Sequence, residues 1–394
     1  MFAAVLGILA AISSPAQVRP PTALLPTVPL GRSFAIHAAI DGHDALLEVD
    51  TGSFELRLSP DFVKKWGIDN HRITLKVTDL PAMTMTPLVE NLVDPDTPLL
   101  GVSFQPTEDG IIGLDVLRRF AIGIDTVGGR VAFWNGGKIG ANSAAAWAQS
   151  KMPAGVKPVR LQKLPLETNG EDDWYRIKAA VNGKPLHLVL DTGTAYSTVN
   201  PSQVSPLHLK IIGETIVEGI GQTERLLIAT AETLAFGPFS ADFPIVNVEK
   251  QEDSSSDGIL GTEALGDGVF VIDMPDKALY AGRVKRTTGN PLELRLRAAG
   301  LDIFPDNRLR LLVLVQPGSP AAKAGIQSGD RLTKIGDLTV EELTKGLQDQ
   351  SDPKVTRRLL DLGLKAIAGD LSITTQHLSA VPVDLALPKL EKTS

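Results

Sequence analysis

The feature that most limits how this chain of 394 residues folds is an internal repeat of about 140 residues. Each copy holds an apolar run that ends in Asp-Thr-Gly, then a Gly-apolar-apolar-Gly motif, then a further apolar run. The three blocks lie at 38–60, 108–117 and 120–134 in the first copy and at 179–201, 256–265 and 269–282 in the second. A repeat that keeps every block in order predicts two halves with the same fold.

The local signals within each copy are those of β-structure. Asp41-Gly42 and Asn182-Gly183 are typical two-residue hairpin turns between short apolar runs. Helix signals are limited to one-turn pieces such as residues 114–119. Residues 135–158 are rich in Gly, Ala and Ser and predict a linker or a partly helical connection. We therefore predict a mainly β protein whose two pseudo-symmetric lobes span 30–140 and 156–286.

The sequence after about residue 288 has a different character and predicts a small α+β domain over 292–390. Ser319 is a suitable N-cap for a short helix, and Gly325 is a suitable stop. Two strand-like runs follow at 370–376 and 381–387.

The N-terminus resembles an export signal. Residues 2–12 are apolar but too short to span a bilayer, and Ser14-Pro15-Ala16 fits a cleavage site, although no Lys or Arg precedes the run. We expect a signal peptide at 1–16, a periplasmic or secreted protein, and no integral membrane span. The Pro-rich stretch 20–29 is expected to be irregular.

Composition argues against several other classes of protein. The net charge is −7 and no Lys/Arg cluster stands out, which disfavours nucleic-acid or anionic membrane partners. The chain has no Cys, so it forms no disulfide, and its six His show no zinc-ligand spacing. We expect no metal and no cofactor.

Asp50 and Asp191 each follow a buried-type apolar run, where a carboxylate is costly unless something compensates. Two homologous halves that pack about a pseudo-two-fold axis would bring these residues face to face. Two close carboxyl groups hold one proton between them. The ionised group can activate water while the protonated group donates to a carbonyl. This pattern is suited to direct amide hydrolysis, although a buried hydrogen-bonded loop without chemistry is the alternative.

The motifs DTGS (50–53) and DTGT (191–194) resemble the active-site signatures of aspartic proteases of the pepsin-like and retroviral type, and the resemblance covers about residues 30–285. It implies that Asp50 and Asp191 are the catalytic dyad. The supporting residues it implies are Thr51 and Thr192 as braces between the loops, Gly52 and Gly193 within them, Ser53 and Thr194 as hydrogen-bond donors to the outer carboxylate oxygens, and Ile112, Gly113, Leu260 and Gly261 as packing behind the loops.

The chain departs from pepsin-like enzymes in its flap. No Tyr lies between Asp50 and Gly113, so the sequence looks more like two fused retroviral-type units. In the second half, residues 217–226 are a candidate flap hairpin with mobility at Gly219 and Gly221, or else an ordinary surface hairpin.

The C-terminal domain resembles a bacterial PDZ domain, because QPGSPAAKAGIQSGDRLTKIGD (316–337) matches the segment around its short helix. PDZ domains bind extended peptides, often C-termini, at a sheet edge. The resemblance places the peptide-binding turn at Gly300, Leu301 and Ile303, although the match there is loose and the insertion at 348–363 is unusual. A structural or docking role for this domain is the alternative.

Together these features predict an aspartic endopeptidase, acting on proteins or peptides, that statine-type inhibitors block. The alternative is a non-catalytic peptide-binding protein with a protease-like shell. A third arrangement, in which each half pairs with a second chain, is disfavoured because the short linker raises the effective concentration of the neighbouring half.

Overall fold

The structure is a computed structural model, and its described part is mainly β, as predicted. The described residues are 18–30, 33–68, 72–89, 108–150, 160–170, 173–219, 222–242, 244–249, 256–266, 268–283, 295–296, 298–305, 311–342, 372–376 and 382–387. The predicted signal peptide, Gly221 and the insertion at 348–363 lie outside these residues. Within the described ranges, no helix combines the length and apolar character needed to cross a membrane.

The first half forms an eight-stranded sheet, and the connection that follows it is helical. The described elements are β1 (Ala23–Pro26), β2 (Val28–Leu30), β3 (Ser33–Ile40), β4 (His43–Val49), β5 (Arg57–Leu58), α1 (Pro60–Trp66), β6 (Ile73–Lys76), β7 (Met83–Met85), β8 (Leu88–Val89), β9 (Gly110–Ile112), α2 (Leu114–Leu117), β10 (Phe120–Asp125), β11 (Arg130–Asn135) and α3 (Gly140–Gln149). The sheet order is β7-β6-β3-β4-β9-β5-β8, with β2 paired to β3.

The second half repeats this arrangement in a nine-stranded sheet of order β16-β17-β20-β15-β21-β14-β13-β18-β19. Its described elements are β12 (Gln162–Pro165), β13 (Arg176–Val181), β14 (Lys184–Leu190), β15 (Ser197–Val199), β16 (Lys210–Gly219), β17 (Gln222–Thr230), β18 (Thr233–Phe236), β19 (Phe239–Asp242), β20 (Ile245–Val248), β21 (Gly258–Leu260), α4 (Thr262–Leu265), β22 (Gly268–Asp273) and β23 (Ala278–Arg283), with 3₁₀ turns at Pro201–Gln203 and Met274–Asp276.

The repeat is visible in the strand register. In the first half β4 runs parallel to β9, with Val49 opposite Ile112. In the second half β14 runs parallel to β21, with Leu190 opposite Leu260. The predicted hairpin turns join β3 to β4 and β13 to β14, and their residues have the positive φ angles that Asp-Gly and Asn-Gly tolerate. Each Asp-Thr-Gly triplet therefore follows a strand that is held by a parallel neighbour.

The two halves share a six-stranded sheet of order β1-β11-β10-β22-β23-β12. Its central strands, β10 and β22, pair with each other across the halves and are buried along their whole length. One face of this sheet joins the main core, and α3 covers the other face with Ala144 and Trp147. Because strand pairing and a common apolar core connect the halves, the pairing within one chain is the arrangement that the structure shows.

Two expectations about local structure were wrong. The Pro-rich stretch is not irregular, because β1 pairs with β11 and buries Ala23 and Leu25 in alternation. Pro26 is tolerated because β1 lies at the sheet edge, where an N–H is not needed. Helices are also not limited to single turns. Helix α1 has seven residues, starts at the N-cap Ser59, and ends at Gly67 with φ 61°.

The C-terminal region forms a separate sheet around its own apolar core. Its described elements are β24 (Leu301–Pro305), β25 (Leu311–Val315), α5 (Pro320–Lys323), β26 (Arg331–Ile335), β27 (Leu338–Thr339), β28 (Ser372–Gln376) and β29 (Val383–Ala386). The predicted cap is confirmed, because the Ser319 hydroxyl accepts a hydrogen bond from the Ala322 N–H at 3.2 Å. Leu312 and Leu314, on the outer face of β25, pack with Ile228 of β17 and so bring the second half and this domain into contact.

Candidate active site

The first candidate loop begins where β4 ends. The Asp50 N–H donates to the Ile112 carbonyl at 3.1 Å, so the parallel pairing of β4 and β9 extends to this residue. The chain then turns back, and the Gly52 N–H donates to Asp50 Oδ1 at 2.7 Å. Asp50 is only 6% exposed. The loop thus holds a buried carboxyl group by the backbone of its own turn.

The second loop has the same construction after β14. The Asp191 N–H donates to the Leu260 carbonyl at 3.2 Å, and the Gly193 N–H donates to Asp191 Oδ1 at 2.7 Å. Asp191 is 8% exposed. The duplicated sequence therefore produces two equivalent carboxyl groups, each at the end of a buried strand.

Thr51 and Thr192 lock the two loops together. The Thr51 hydroxyl donates to the Leu190 carbonyl at 2.7 Å, and the Thr192 hydroxyl donates to the Val49 carbonyl at 2.6 Å. Each hydroxyl also accepts from the backbone N–H of the other threonine, at 3.1 Å in both directions. These four bonds are buried and reciprocal. The structure therefore places both threonines at the contact between the halves that the resemblance implies.

The glycines of the two loops bring the carboxyl groups together. A Cβ atom on Gly52 would lie 2.3 Å from Asp191 Oδ2, and a Cβ atom on Gly193 would lie 2.4 Å from Asp50 Cγ. Any other residue at either position would displace the aspartate of the opposite loop. Asp50 and Asp191 are hydrogen-bonded to each other across this contact.

The two aspartates differ electrostatically. Burial raises the pKa of Asp50 above its usual value, while hydrogen bonds from Asp191 and from the backbone N–H groups of Gly52, Ser53 and Gly193 act to lower it. The pKa of Asp191 is raised well above its usual value, first by burial and then by the negative charge of Asp50. These shifts correspond to a pair of carboxyl groups that holds one proton between them.

A third carboxyl group, which the sequence interpretation missed, lies beside the pair. Glu48 lies on β4, two residues before Asp50, which directly follows the strand. The two side chains therefore point to the same side of the chain. Burial, followed by the charge of Asp50, raises the pKa of Glu48 to about 8. An acidic residue within a half-buried strand was the available signal, and the equivalent residue of the second repeat is Val189.

The residues predicted to pack behind the loops lie there. Ile112 and Leu260 supply the carbonyl groups that bind the N–H of the two aspartates. A Cβ atom on Gly113 would lie 2.5 Å from the Glu55 carbonyl oxygen, and one on Gly261 would lie 2.7 Å from the Tyr196 backbone. Only glycine allows the chain to pass this close behind each loop.

The implied roles of Ser53 and Thr194 differ from what the structure shows. The Ser53 hydroxyl donates to the Glu55 carbonyl at 3.2 Å, and the backbone N–H of Ser53, rather than its side chain, faces Asp50. Among the described residues, no hydrogen bond joins the Thr194 hydroxyl to Asp191, and the Thr194 carbonyl accepts from Thr262 at 2.9 Å. In the first loop the reason is that the tight turn presents the Ser53 backbone N–H to the carboxylate, while the Ser53 hydroxyl donates to Glu55.

Trp174 also reaches the first loop. Its indole N–H donates to the Gly52 carbonyl at 2.8 Å, and its ring stacks on Phe54 with 4.2 Å between centroids. The sequence contains no sign of this contact. No local pattern could have found a contact between residues of different halves.

The candidate flap and peptide-binding residues are less directly placed. Gly219 ends β16 in the β16–β17 hairpin, while Gly221 lies outside the described residues. Gly300, with φ 75°, precedes β24, which is the edge strand of its sheet as described. Leu301 is 2% exposed and belongs to the domain core, and Ile303 packs against that core.

In the described part of the chain, no group of three or more His, Cys, Asp or Glu residues is arranged to hold a metal ion.

Comparison with known proteins agrees with this architecture. Residues 177–264, which include the second Asp-Thr-Gly loop, match the family model for aspartyl proteases. The second half is an aspartyl-protease-like domain. Residues 312–351 match the family model for PDZ domains, so the recognition of both families from the motifs is confirmed.

Among solved structures, a retropepsin-like aspartic protease from Rickettsia conorii is similar to part of this chain. It is 17% identical, the match covers 32% of this chain and 93% of that chain, and the TM-score is 0.25. No curated protein matches the sequence.

Proposed function

We propose that this protein is an aspartic endopeptidase that hydrolyses peptide bonds with Asp50 and Asp191, and that its PDZ domain binds substrate or partner peptides. The observation that carries the proposal is the reciprocal packing of two buried carboxyl groups, each held by its own loop and hydrogen-bonded to the other. The aspartyl protease match of the second half supports it.

The electrostatic difference within the pair assigns a role to each carboxyl group. The ionised Asp50 accepts a proton from a bound water as that water attacks the peptide carbonyl carbon. The protonated Asp191 donates its proton to the carbonyl oxygen, which avoids a full negative charge on the tetrahedral intermediate. Asp50 then gives the proton that it took from water to the amide nitrogen, and Asp191 takes back a proton from the intermediate's hydroxyl as the C–N bond breaks. This releases the amine product and the new carboxyl terminus and restores the starting protonation of the pair.

The pH dependence follows from the number of protons on the pair. Activity requires one proton, so it falls at low pH when Asp50 is protonated and at high pH when Asp191 loses its proton. Because burial and the charge of Asp50 hold the pKa of Asp191 well above its usual value, the high-pH limb lies above the range of an ordinary aspartate.

The proposed peptide-binding role depends on the position of β24. This strand lies at the edge of the described sheet, beside β25, so its outer backbone groups are placed to pair with an extended peptide. The PDZ family match of the same domain supports this role.

The test is cleavage of an unfolded protein substrate between about pH 3 and about pH 8, the range over which such a pair is tuned. Asp50→Asn and Asp191→Asn should each abolish cleavage. The matched control is Asp44→Asn, because Asp44 lies on the same strand with its side chain 75% exposed, and this variant should cleave like the wild type.

Cleavage that survives in Asp50→Asn or Asp191→Asn would contradict the assignment of the pair. A folded wild-type protein that binds the unfolded substrate without cutting it at any pH would favour the peptide-binding alternative instead.

A further inference from the structure

Trp174 joins the second half of the molecule to the catalytic loop of the first half. It lies just before β13, and its indole N–H donates to the Gly52 carbonyl at 2.8 Å. Its ring stacks on Phe54, with an angle of 38° between the planes. The indole therefore holds the loop of Asp50 by a polar bond and an aromatic contact at once.

The position of Trp174 is itself fixed by charged groups. Asp173 Oδ1 accepts from the Trp174 backbone N–H at 2.8 Å, and Asp173 Oδ2 accepts from Arg176 at 2.6 Å. Arg118 of the first half donates to the Asp173 carbonyl at 3.0 Å. The bond to Arg176 lowers the pKa of Asp173 to about 2, so this anchor persists in acidic solution.

A single peptide unit connects Trp174 to Asp50. The Gly52 carbonyl, which accepts from the indole, belongs to the same peptide unit as the Ser53 N–H, which faces the Asp50 carboxyl group. Hydrogen bonds at the two ends of one peptide unit polarise it and strengthen each other. The indole therefore makes the Ser53 N–H a stronger donor to the negative charge on Asp50.

The second loop lacks this arrangement. The position equivalent to Trp174 in the first repeat is Ser33, whose side chain is too short for such a contact and which is hydrogen-bonded to Glu48. In the described part of the chain, no side chain is seen donating to the Gly193 carbonyl. Each aspartate accepts from the glycine N–H of its own loop at 2.7 Å, and the backbone N–H groups of Ser53 and Gly193 also act to lower the pKa of Asp50.

The other titratable groups near Asp50 are Asp191 from the opposite loop and Glu48 from the same strand, with Glu108 beyond Glu48. The hydrogen bond from Asp191 favours ionisation of Asp50, while a charge on Glu48 acts against ionisation of Asp191. The backbone donors of the first loop act in the same direction, because they also favour the charge on Asp50.

We propose that Trp174 is a positioning residue which, through the Gly52–Ser53 peptide unit, places the negative charge of the pair on Asp50. The inference rests on the proposed function, since it concerns the same two carboxyl groups, but it makes a claim that can be tested without catalysis. Symmetry of the fold leaves the two aspartates equivalent, and this indole is one of the side chains that distinguish them.

The decisive variant is Trp174→Phe, which keeps an aromatic ring against Phe54 and removes the donor. Titration of ¹³C-labelled aspartate carboxyl groups by NMR, assigned with Asp50→Asn and Asp191→Asn, should show the protonation of Asp50, which is the low-pH step of the pair, moving upward by about half a pH unit. In kinetics, the acidic limb of kcat should move in the same direction, while KM changes less than about twofold.

The matched control is Trp66→Phe, because Trp66 lies at the end of α1, is 39% exposed and stacks on His43. This variant should leave the carboxyl titration and the acidic limb unchanged. Incorporation of fluorinated tryptophan, which keeps the ring and strengthens the N–H donor, should shift the titration of the pair downward and serves as the second test if Trp174→Phe fails to fold.

A folded Trp174→Phe protein whose carboxyl titration equals that of Trp66→Phe would overturn the inference, whether or not the protein cleaves peptides. If the titration shifts as expected but neither the wild type nor any variant cleaves a substrate, the proposed role of Trp174 stands and the proposed function fails. The two outcomes are therefore distinguishable.

Discussion

The Asp50 loop and the Asp191 loop have the same backbone conformation and hydrogen bonds but differ in the side chains around them. Both follow a strand held by a parallel neighbour, both bind their own aspartate through a glycine N–H at 2.7 Å, and both contribute to the threonine lock. The first loop, however, has Glu48 on its strand and Trp174 on its carbonyl, whereas the second has Val189 and no such indole. Duplication thus supplied a symmetric scaffold, and a few substitutions made its electrostatics asymmetric.

The largest expected effect is on activity, and it tests the symmetric packing of Gly52 and Gly193 against the opposite aspartates. Gly52→Ala and Gly193→Ala should each lower kcat/KM by at least about 100-fold, because the new Cβ displaces the aspartate of the opposite loop. Cleavage assays on the two purified variants measure this. Gly170→Ala is the matched control, since a Cβ there meets nothing within 4 Å and should change little. A normal rate in either loop variant would show that the loops are farther apart than described.

Removing either hydroxyl of the threonine lock, the four hydrogen bonds made by Thr51 and Thr192, should have the next largest effect. The loss of stability should be equal for the two threonines. Thr51→Val or Thr192→Val removes a hydroxyl and leaves buried carbonyl and N–H groups unpaired, which should lower the free energy of unfolding by about 1–3 kcal/mol. Chemical denaturation measures the loss. Thr51→Ser keeps the hydroxyl and should recover most of it. A clearly unequal loss in the two Val variants would break the symmetry inferred for the lock.

Glu48, whose equivalent in the second half is Val189, tests the electrostatic difference between the loops through the pH dependence of stability. Its pKa in the folded protein, about 8, lies above the unfolded value of 4.5, so its contribution to stability is fully present below about pH 4.5 and is lost as pH rises through 8. Glu48→Gln should therefore stabilise the protein by on the order of 2 kcal/mol near pH 8 and by almost nothing near pH 4. Thermal or denaturant unfolding at both pH values measures the difference.

The control for this variant is Glu341→Gln, an exposed residue of the C-terminal domain, which should show no such dependence on pH. Equal stabilisation by Glu48→Gln at both pH values would mean that the pKa of Glu48 is the same in the folded and unfolded protein, which would contradict the raised pKa.

The smallest expected effects concern the residues after the glycines. Ser53→Ala and Thr194→Val should each change kcat/KM by less than about threefold, because the Ser53 hydroxyl donates to the Glu55 carbonyl and the turn's backbone faces the carboxylate. Parallel pH profiles of the two variants measure this. A large loss in one variant alone, with a shifted acidic limb, would show that its hydroxyl does reach an aspartate when substrate is bound.

Features encoded in short segments were predictable from the sequence. The hairpin turns at Asp41-Gly42 and Asn182-Gly183 and the cap at Ser319 depend on two to four neighbouring residues, and the structure shows each of them. The Thr-Val-Glu-Glu segment at 339–342 is a further feature of this kind, since it has the sequence of a capping box and the Glu342 N–H donates to the Thr339 hydroxyl at 3.1 Å. The position of the two aspartates at strand ends came from the repeat, which constrains both halves together.

Features that depend on distant residues were not predictable in this way. The pairing of β10 with β22 joins segments 144 to 152 positions apart, and the sequence of each is locally that of an ordinary apolar strand. Helix α1 was missed even though Ser59 and Gly67 supply the same start and stop signals that identified α5. The raised pKa of Glu48 and the bond from Trp174 to Gly52 arise from tertiary packing, for which a single sequence contains no direct signal.

The interlocked glycines also have a consequence for the order of events during synthesis. The carboxyl group of Asp50 rests in the space that the missing side chain of Gly193 leaves open, and Asp191 rests likewise on Gly52. When only the first half of the chain has emerged from the ribosome, the Asp50 loop is present but the pair of carboxyl groups is not. The pair comes into being only when the second loop has been synthesised and docked, so a growing chain carries no completed pair that could attack its neighbours or itself.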